Sequence, residues 1–170
     1  MKLVILFCAF LTFSTCKNTT QPESEKINDY LIIDIKAKVL EDDIFEIYYS
    51  EDPKDLYLPE NKVRANVKGG ANFQNIHFKF PDRTYPMKFR IDIGLNRNET
   101  IIEILEIKLS TGKNSKTFSG SEIGKNFRTN QFIQYNPSSN SFNRHILNGA
   151  YDPFLLSLDL SDDIVNLFSD

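Results

Sequence analysis

Apolar and polar residues alternate with a period of two along the middle of this 170-residue chain. Residues 62–68, 76–80 and 87–93 each place an apolar side chain at every second position and a polar or charged side chain between. Successive side chains of a β-strand point to opposite faces of a sheet. The pattern therefore predicts strands with one face in a core and the other toward solvent.

Two further segments, residues 30–40 and 44–49, are rich in the β-branched and aromatic residues that favour strands. Residues 101–109 change phase, because Ile102 and Ile104 alternate in one register and the later apolar residues alternate in the other. We therefore predict a β-bulge near Ile104, which would return both sets to one face of the sheet.

Turn-forming residues separate these segments at short, nearly regular intervals, at residues 69–70, 81–82, 94–98 and 111–115. No long helical pattern lies between them, whereas each connection of a parallel sheet would need about a dozen residues. The sequence therefore predicts an all-β fold, an antiparallel β-sandwich or barrel, and the length suits one core rather than two. We place this single domain at residues 29–170.

The last third of the chain carries two short helical signals. Residues 121–127 have the spacing of one or two helical turns. Ser161, followed by two aspartates and an apolar residue, has the composition of the N-cap of a short C-terminal helix.

The first residues have the features of a secretion signal. Lys2 precedes an apolar run over residues 3–11, which is too short for a membrane span of about 20 residues. Small residues then lead to Cys16. This arrangement resembles a bacterial lipoprotein signal, in which the peptide is cleaved before a cysteine that becomes acylated. The resemblance implies a signal peptide at 1–15 and lipid attachment, including palmitate, at Cys16; the alternative is an ordinary signal peptide with Cys16 incidental.

The segment after the cysteine is polar and predicts a flexible tether over residues 16–28. The formal charge of the whole chain is −3 and becomes −4 without residues 1–15. No electrostatic field would draw such a domain to nucleic acid or to anionic lipid, so acyl chains have to provide the attachment. In the lipoproteins that this signal resembles, an aspartate after the cysteine favours the inner membrane. Lys17 stands there instead, so the resemblance implies a place in the cell envelope at the outer membrane.

Several strand segments carry a second resemblance. They are the sequences DIFEIYY at 43–49, NFQNIHFKFP at 72–81, KFRIDIG at 88–94, ILEIKL at 104–109, EIGKNF at 122–127 and YDPF at 151–154. They are similar to a β-sandwich module of bacterial surface proteins that looks like the galactose-binding, jelly-roll class of carbohydrate-binding domain. That module also occurs fused to membrane proteins of cell-surface polysaccharide synthesis, and it carries no established catalytic set.

Catalytic and metal-binding motifs are scarce. The only histidines are His77, on the polar side of a predicted strand, and His145, in a polar region. No nucleophile elbow, zinc-binding helix or phosphate loop accompanies them. The acidic loop residues suit turns and caps, so we predict no catalytic residues, no metal ligands and no cofactor, with a structural calcium ion as the less favoured alternative.

Exposed tyrosines and polar side chains remain as candidates for binding, because sugars stack on aromatic rings while charged groups hold their hydroxyls. The candidate residues are Arg64, Arg90, Asp92, Tyr57 and Tyr85. We therefore expect a lipid-anchored envelope protein with a non-catalytic sandwich that binds glycan or an envelope protein partner. The alternatives are an envelope glycan hydrolase and a purely structural subunit of an envelope complex.

Overall fold

A computed structural model describes residues 30–54, 56–112 and 114–169. The predicted signal peptide and the whole of the predicted tether, including Cys16, lie outside these residues. The described part of the chain is an antiparallel β-sandwich with two short helices late in the sequence, as the sequence predicts.

The strands and helices have the following bounds: β1 Ile32–Val39, β2 Asp43–Ser50, β3 Lys62–Val67, β4 Gln74–Lys79, β5 Lys88–Asp92, β6 Ile101–Ser110, β7 Ser115–Ser119, α1 Ser121–Asn126, β8 Phe127–Thr129, β9 Ile133–Asn136, β10 Ser141–Arg144, β11 Phe154–Ser157 and α2 Ser161–Phe168.

Two sheets form the sandwich, and their strands pair antiparallel. Sheet A has the order β4-β1-β6-β10-β9, with β7 also paired to β6. Sheet B has the order β3-β2-β5-β11-β8. β5 therefore lies at the centre of sheet B, between β2 and β11, where both of its edges are hydrogen-bonded.

The core lies between the sheets and is built from every second residue of the long strands. Ile33 and Ile35 of β1 and Phe89 and Ile91 of β5 have no solvent exposure. Aromatic rings connect the two sheets, with the ring of Phe80 5.9 Å from that of Phe89. These edge-to-face contacts add to the area that the rings bury.

The predicted bulge in β6 is confirmed. Lys36 of β1 pairs with Glu106 while Ala37 pairs with Ile104, so Leu105 is the additional residue. Leu105 is exposed, and the apolar residues on both sides of it in β6 face the core. The bulge thus explains why the apolar positions of the sequence change phase in this strand.

The last third differs from the sequence prediction. Besides the two predicted helices, its described residues form five short strands, β7 to β11, each of three to five residues. Such strands are too short to show a clear alternation. The predicted cap is also wrong, because Ser161 is the first residue of α2 and its N–H is bonded to the carboxylate of Asp159 at 3.2 Å.

The two ends of the sandwich differ in what they carry. At the proximal end the chain enters β1, and the connections β2–β3, β4–β5 and β6–β7 and helix α2 lie there. At the distal end lie the loop over residues 93–100 and the segment over residues 145–153. An eight-residue strand such as β2 spans about 26 Å between these ends.

Candidate functional site

Charged side chains form a connected row on the outer face of sheet B, which is the face turned away from the core. Arg64 of β3 lies opposite Glu46 of β2, and Glu46 lies opposite Asp92 of β5. Arg64 donates to Glu46 Oε1 through Nε at 2.8 Å, and Lys62 Nζ donates to the same oxygen at 2.9 Å. The hydroxyl of Tyr48 donates to Oε2 at 3.1 Å. Burial raises the pKa of Glu46, but these donors outweigh it and the pKa is lowered.

Arg90 occupies the centre of this face and holds two carboxylates. Its Nε and Nη2 donate to the two oxygens of Asp92 at 2.7 and 2.9 Å, and Nη2 also donates to Asp152. The guanidinium carbon lies 4.0 Å from the centroid of the Phe154 ring. A planar guanidinium thus makes a paired contact with a carboxylate and a cation-π contact at the same time.

Asp92 is on the outer face, as predicted. The prediction that this face is solvated is wrong at Asp92, because its side chain is buried. Only 5% of Asp92 is exposed, and the side chain of Arg90 is 24% exposed. The cause is the chain at the start of β11, because Asp152 and Phe154 both contact Arg90 beside Asp92 at the end of β5. Burial raises the pKa of Asp92 to about 6, against the opposing effect of Arg90.

A buried ion pair fixes the distal loops beside this face. Arg144 of β10 and Asp43 of β2 are 1% exposed at the side chain, and Arg144 Nη1 lies 2.7 Å from Asp43 Oδ2. The guanidinium also donates to the carbonyl oxygens of Ile93 and Thr100. The other oxygen of Asp43 accepts the N–H groups of residues 44, 95 and 96. Both charges are therefore fully hydrogen-bonded, as burial requires.

Gly94 is required by this ion pair. Its φ of 118° is in the region that favours glycine. A Cβ built there would lie 1.9 Å from Arg144 Nη1 and 2.4 Å from Asp43 Oδ2. Any side chain at position 94 would displace the pair that holds the loop.

The loops held by this ion pair enclose a pocket at the distal end. Its volume is about 170 Å³, and it is lined by Asp92, Gly94, Leu95, Arg97, Tyr151, Asp152 and Pro153. Arg97 Nη2 donates to the carbonyl oxygen of Gly149 at 2.5 Å, which joins the two loops. Two carboxylates, a guanidinium, an aromatic ring and apolar side chains thus meet around one small volume.

Tyr151 contributes an unusual group to this site. Burial raises the pKa of its phenol to about 12. Its hydroxyl is buried without a hydrogen-bond partner among the described residues. An unpaired buried hydroxyl costs about 1–3 kcal/mol, so such groups are rare in folded proteins.

The five predicted binding residues separate into two groups. Arg64, Arg90 and Asp92 share the outer face of sheet B. Tyr57 lies at the proximal edge of this face, where its ring centroid is 5.1 Å from Lys88 Nζ. Burial raises the pKa of the Tyr57 phenol to about 12. Tyr85 lies apart from them in the loop after β4, where it contacts helix α2.

Sequence reasoning missed the residues that complete the pocket. Arg97, Tyr151 and Asp152 come from loops without a periodic pattern, and Asp43 is 101 residues from Arg144 in the sequence. We expected residues 143–146 to form a polar region, but Arg144 ends a strand and is 1% exposed. No local pattern separates a buried arginine from a solvated one.

The histidines and several acidic residues lie outside the pocket. His77 is exposed on β4, with Nδ1 2.8 Å from Asp34 Oδ1, and His145 follows β10. Within the described ranges, no three His, Cys, Asp or Glu side chains gather in a way that could hold a metal ion. Glu41 accepts from Asn96 and Asn98, so it supports the distal loop.

Comparison with protein-family models, with curated proteins and with solved structures finds no match to this chain. Among the helices of the described residues, none is long and apolar enough to cross a membrane.

Proposed function

We propose that this chain is a lipid-anchored protein of the cell envelope whose sandwich, without chemistry of its own, binds a glycan at the distal pocket. The observation that carries the proposal is the set of groups around that pocket. Asp152 can accept hydrogen bonds from sugar hydroxyls, and Arg97 can donate to them. Tyr151, Leu95 and Pro153 offer surfaces for the C–H face of a sugar ring.

The size of the pocket limits what it can hold. A volume of about 170 Å³ is smaller than the roughly 300–1,000 Å³ of sites for drug-sized ligands. It suits one sugar unit of a longer chain, with the rest of the glycan outside. Arg90 and Tyr48 of the outer face are close enough to the pocket to extend the contact, since Arg90 touches both Asp92 and Asp152. The resemblance to galactose-binding-like modules supports the same ligand class.

The pocket gives a direct test with one substitution. Asp152→Asn preserves the shape of the side chain and removes its charge, so we expect the affinity for the bound glycan to fall about tenfold or more. The measurement is retention on a glycan array and on labelled peptidoglycan, with thermal melts to establish that the variant is folded. Asp82→Asn is the matched control, because Asp82 is an exposed aspartate in the loop after β4, at the proximal end.

The outcomes of this test separate the proposed functions. Retention that Asp152→Asn weakens and Asp82→Asn leaves unchanged supports glycan binding. Equal retention of both variants would reject the pocket as the site. Retention of no glycan would reject glycan binding and favour a protein partner or a structural subunit of an envelope complex.

A glycan hydrolase is the second candidate, and the two carboxylates of the pocket are the observation that favours it. Asp92 and Asp152 are bridged by Arg90 Nη2, and burial raises the pKa of Asp92 to about 6. Glycosidases use a protonated carboxyl beside an ionised one. Against this role, Arg90 occupies both oxygens of Asp92. Release of labelled fragments from peptidoglycan would favour the hydrolase over the binding protein.

The lipid anchor is tested by a second substitution. Cys16→Ala removes the thiol that would carry the acyl chains, so the protein should lose incorporated palmitate and move from the membrane pellet to the soluble envelope fraction. Cys8→Ala is the matched control, because Cys8 lies in the apolar run and should not be acylated. Unchanged pelleting of Cys16→Ala, with no palmitate in either protein, would reject the lipoprotein assignment. Density separation of the membranes tests the proposed outer-membrane location.

A further inference from the structure

Apolar side chains are exposed at the proximal end of the sandwich on three separate segments. In the β2–β3 connection Leu56 is 82% exposed and Leu58 is 45% exposed. In the β4–β5 connection Tyr85 is 42% exposed, and on helix α2 Val165 is 56% exposed. One exposed leucine is ordinary on a soluble protein. Several that lie together can form a contact surface. The distal end also exposes apolar side chains, among them Leu40, Leu95 and Ile101, so the connection to the proposed anchor is what distinguishes the proximal end.

Direct contacts connect these three segments. Glu51 Oε1 of the β2–β3 connection accepts the N–H of Tyr85 at 2.8 Å. The ring of Tyr85 lies 4.7 Å from the ring of Phe168 at the end of α2. Helix α2 is in turn held to the β6–β7 connection, because Thr111 Oγ1 donates to the carbonyl oxygen of Leu167 at 2.7 Å. The exposed apolar side chains therefore belong to one surface, which we name the proximal surface.

The leucines of this surface are held outward by the residue between them. Tyr57 is half-buried against Lys88, and burial raises its pKa to about 12. Lys88 Nζ also donates to the carbonyl oxygen of Pro53 at 2.8 Å, which holds the beginning of the same connection on β5. Leu56 and Leu58, on either side of Tyr57, remain exposed. The contacts of Tyr57 and Pro53 with Lys88 thus hold the connection on β5, with its leucines on the surface.

The N-terminal part of the chain joins the domain at this same end. Leu31 is buried beside Phe80, whose N–H donates to the carbonyl oxygen of Leu31 at 3.0 Å. Thirteen residues, 17–29, separate Cys16 from the first described residue. A flexible chain of that length has an end-to-end distance of about 20 Å. An acyl group on Cys16 would therefore keep the proximal end close to the lipid surface.

We infer that the proximal surface rests on the lipid bilayer and inserts Leu56 and Leu58 among the headgroups. This inference depends on the proposed lipid anchor at Cys16. The charges beside the two leucines do not favour anionic lipid, because the acids Glu51, Asp52 and Glu60 of the β2–β3 connection outnumber Lys54 among its described residues. Apolar contact is therefore the attraction, and the distal pocket faces away from the membrane.

The test uses the mature, lipidated full chain. Its only cysteine would be the acylated Cys16, so Leu56→Cys introduces the single thiol that can carry a polarity-sensitive fluorophore. The protein is reconstituted in phosphatidylcholine vesicles with and without brominated acyl chains, which quench a fluorophore in the bilayer. Leu40→Cys is the matched control, because Leu40 is 51% exposed and follows β1 at the distal end.

The fluorophore at position 56 should emit at shorter wavelength on the vesicles and lose fluorescence with brominated lipid, while the one at position 40 should change in neither respect. Adding phosphatidylglycerol should not strengthen the quenching. Equal quenching at both positions, or none at either, in protein that contains palmitate would overturn the inference and leave the anchor in place. A shift at position 56 that depends on protein concentration and not on brominated lipid would assign the surface to a second copy and overturn the inference. Protein without palmitate would overturn the anchor and the inference together.

Discussion

Replacing Arg144 with methionine is expected to lower the free energy of unfolding by about 3–5 kcal/mol, which is a large share of the stability of an ordinary domain. Methionine fills part of the volume and removes the charge, so the carboxylate of Asp43 would remain buried without its cation. Two carbonyl oxygens, of Ile93 and Thr100, would lose their donor as well. Urea unfolding followed by circular dichroism measures the effect.

Arg64→Met is the control for this prediction. The Arg64 side chain is 51% exposed and its partner Glu46 also has Lys62, so the loss should be about 1 kcal/mol or less. If Arg144→Met were no more damaging than Arg64→Met, the buried ion pair would not hold the distal loops. The proposed pocket would then lack its support, because Gly94 and Leu95 line it directly next to this pair.

The sequence predicts the long strands because each of them buries one face. In β5 the alternation of Phe89 and Ile91 with Arg90 follows from the pleat alone, and no knowledge of the neighbouring strands is needed. Even the bulge in β6 is visible, since its extra residue reverses the phase of the apolar positions around Ile104. Local patterns of this kind depend only on residues close in the chain.

The pocket depends on contacts that no local pattern contains. Arg90 and Asp92 are predicted on the correct face, but their burial comes from Asp152 and Phe154, about 60 residues later in the chain. The same holds for Arg144, whose sequence neighbours are polar while its partner lies in β2. Whether a charged side chain is solvated or buried is decided by what the fold places over it.

Residues with a local pattern and residues without one lie in different parts of the molecule. The residues that the alternation identifies hold the two sheets together, and they occupy the middle of the sandwich. Arg144, which the alternation does not identify, ends β10, but the proximal leucines and six of the seven residues that line the distal pocket are in the connections. Connections carry function because a rigid scaffold positions them without constraining their sequence to a period.

The second large effect is expected in the core. Phe89→Ala should lower the free energy of unfolding by about 3–5 kcal/mol, because the ring is fully buried at the centre of sheet B and its removal leaves a cavity. The loss includes the edge-to-face contact with Phe80 at 5.9 Å between ring centroids. The N–H of Phe89 and its bond to Ser157 Oγ are unaffected by the substitution. Urea unfolding of the purified protein gives the difference.

Two further variants show which face of β5 carries the stability. Phe73→Ala is the matched control, because Phe73 is 42% exposed and its ring centroid lies 5.9 Å from Lys38 Nζ, so the change should be about 0.5 kcal/mol. Arg90→Ala should fall between these values, since Arg90 is partly exposed yet holds Asp92 and Asp152. A solvated arginine would cost no more than about 0.5 kcal/mol. If Arg90→Ala were as damaging as Phe89→Ala, the outer face of sheet B would be a second core, and the charged row on it would serve stability before binding.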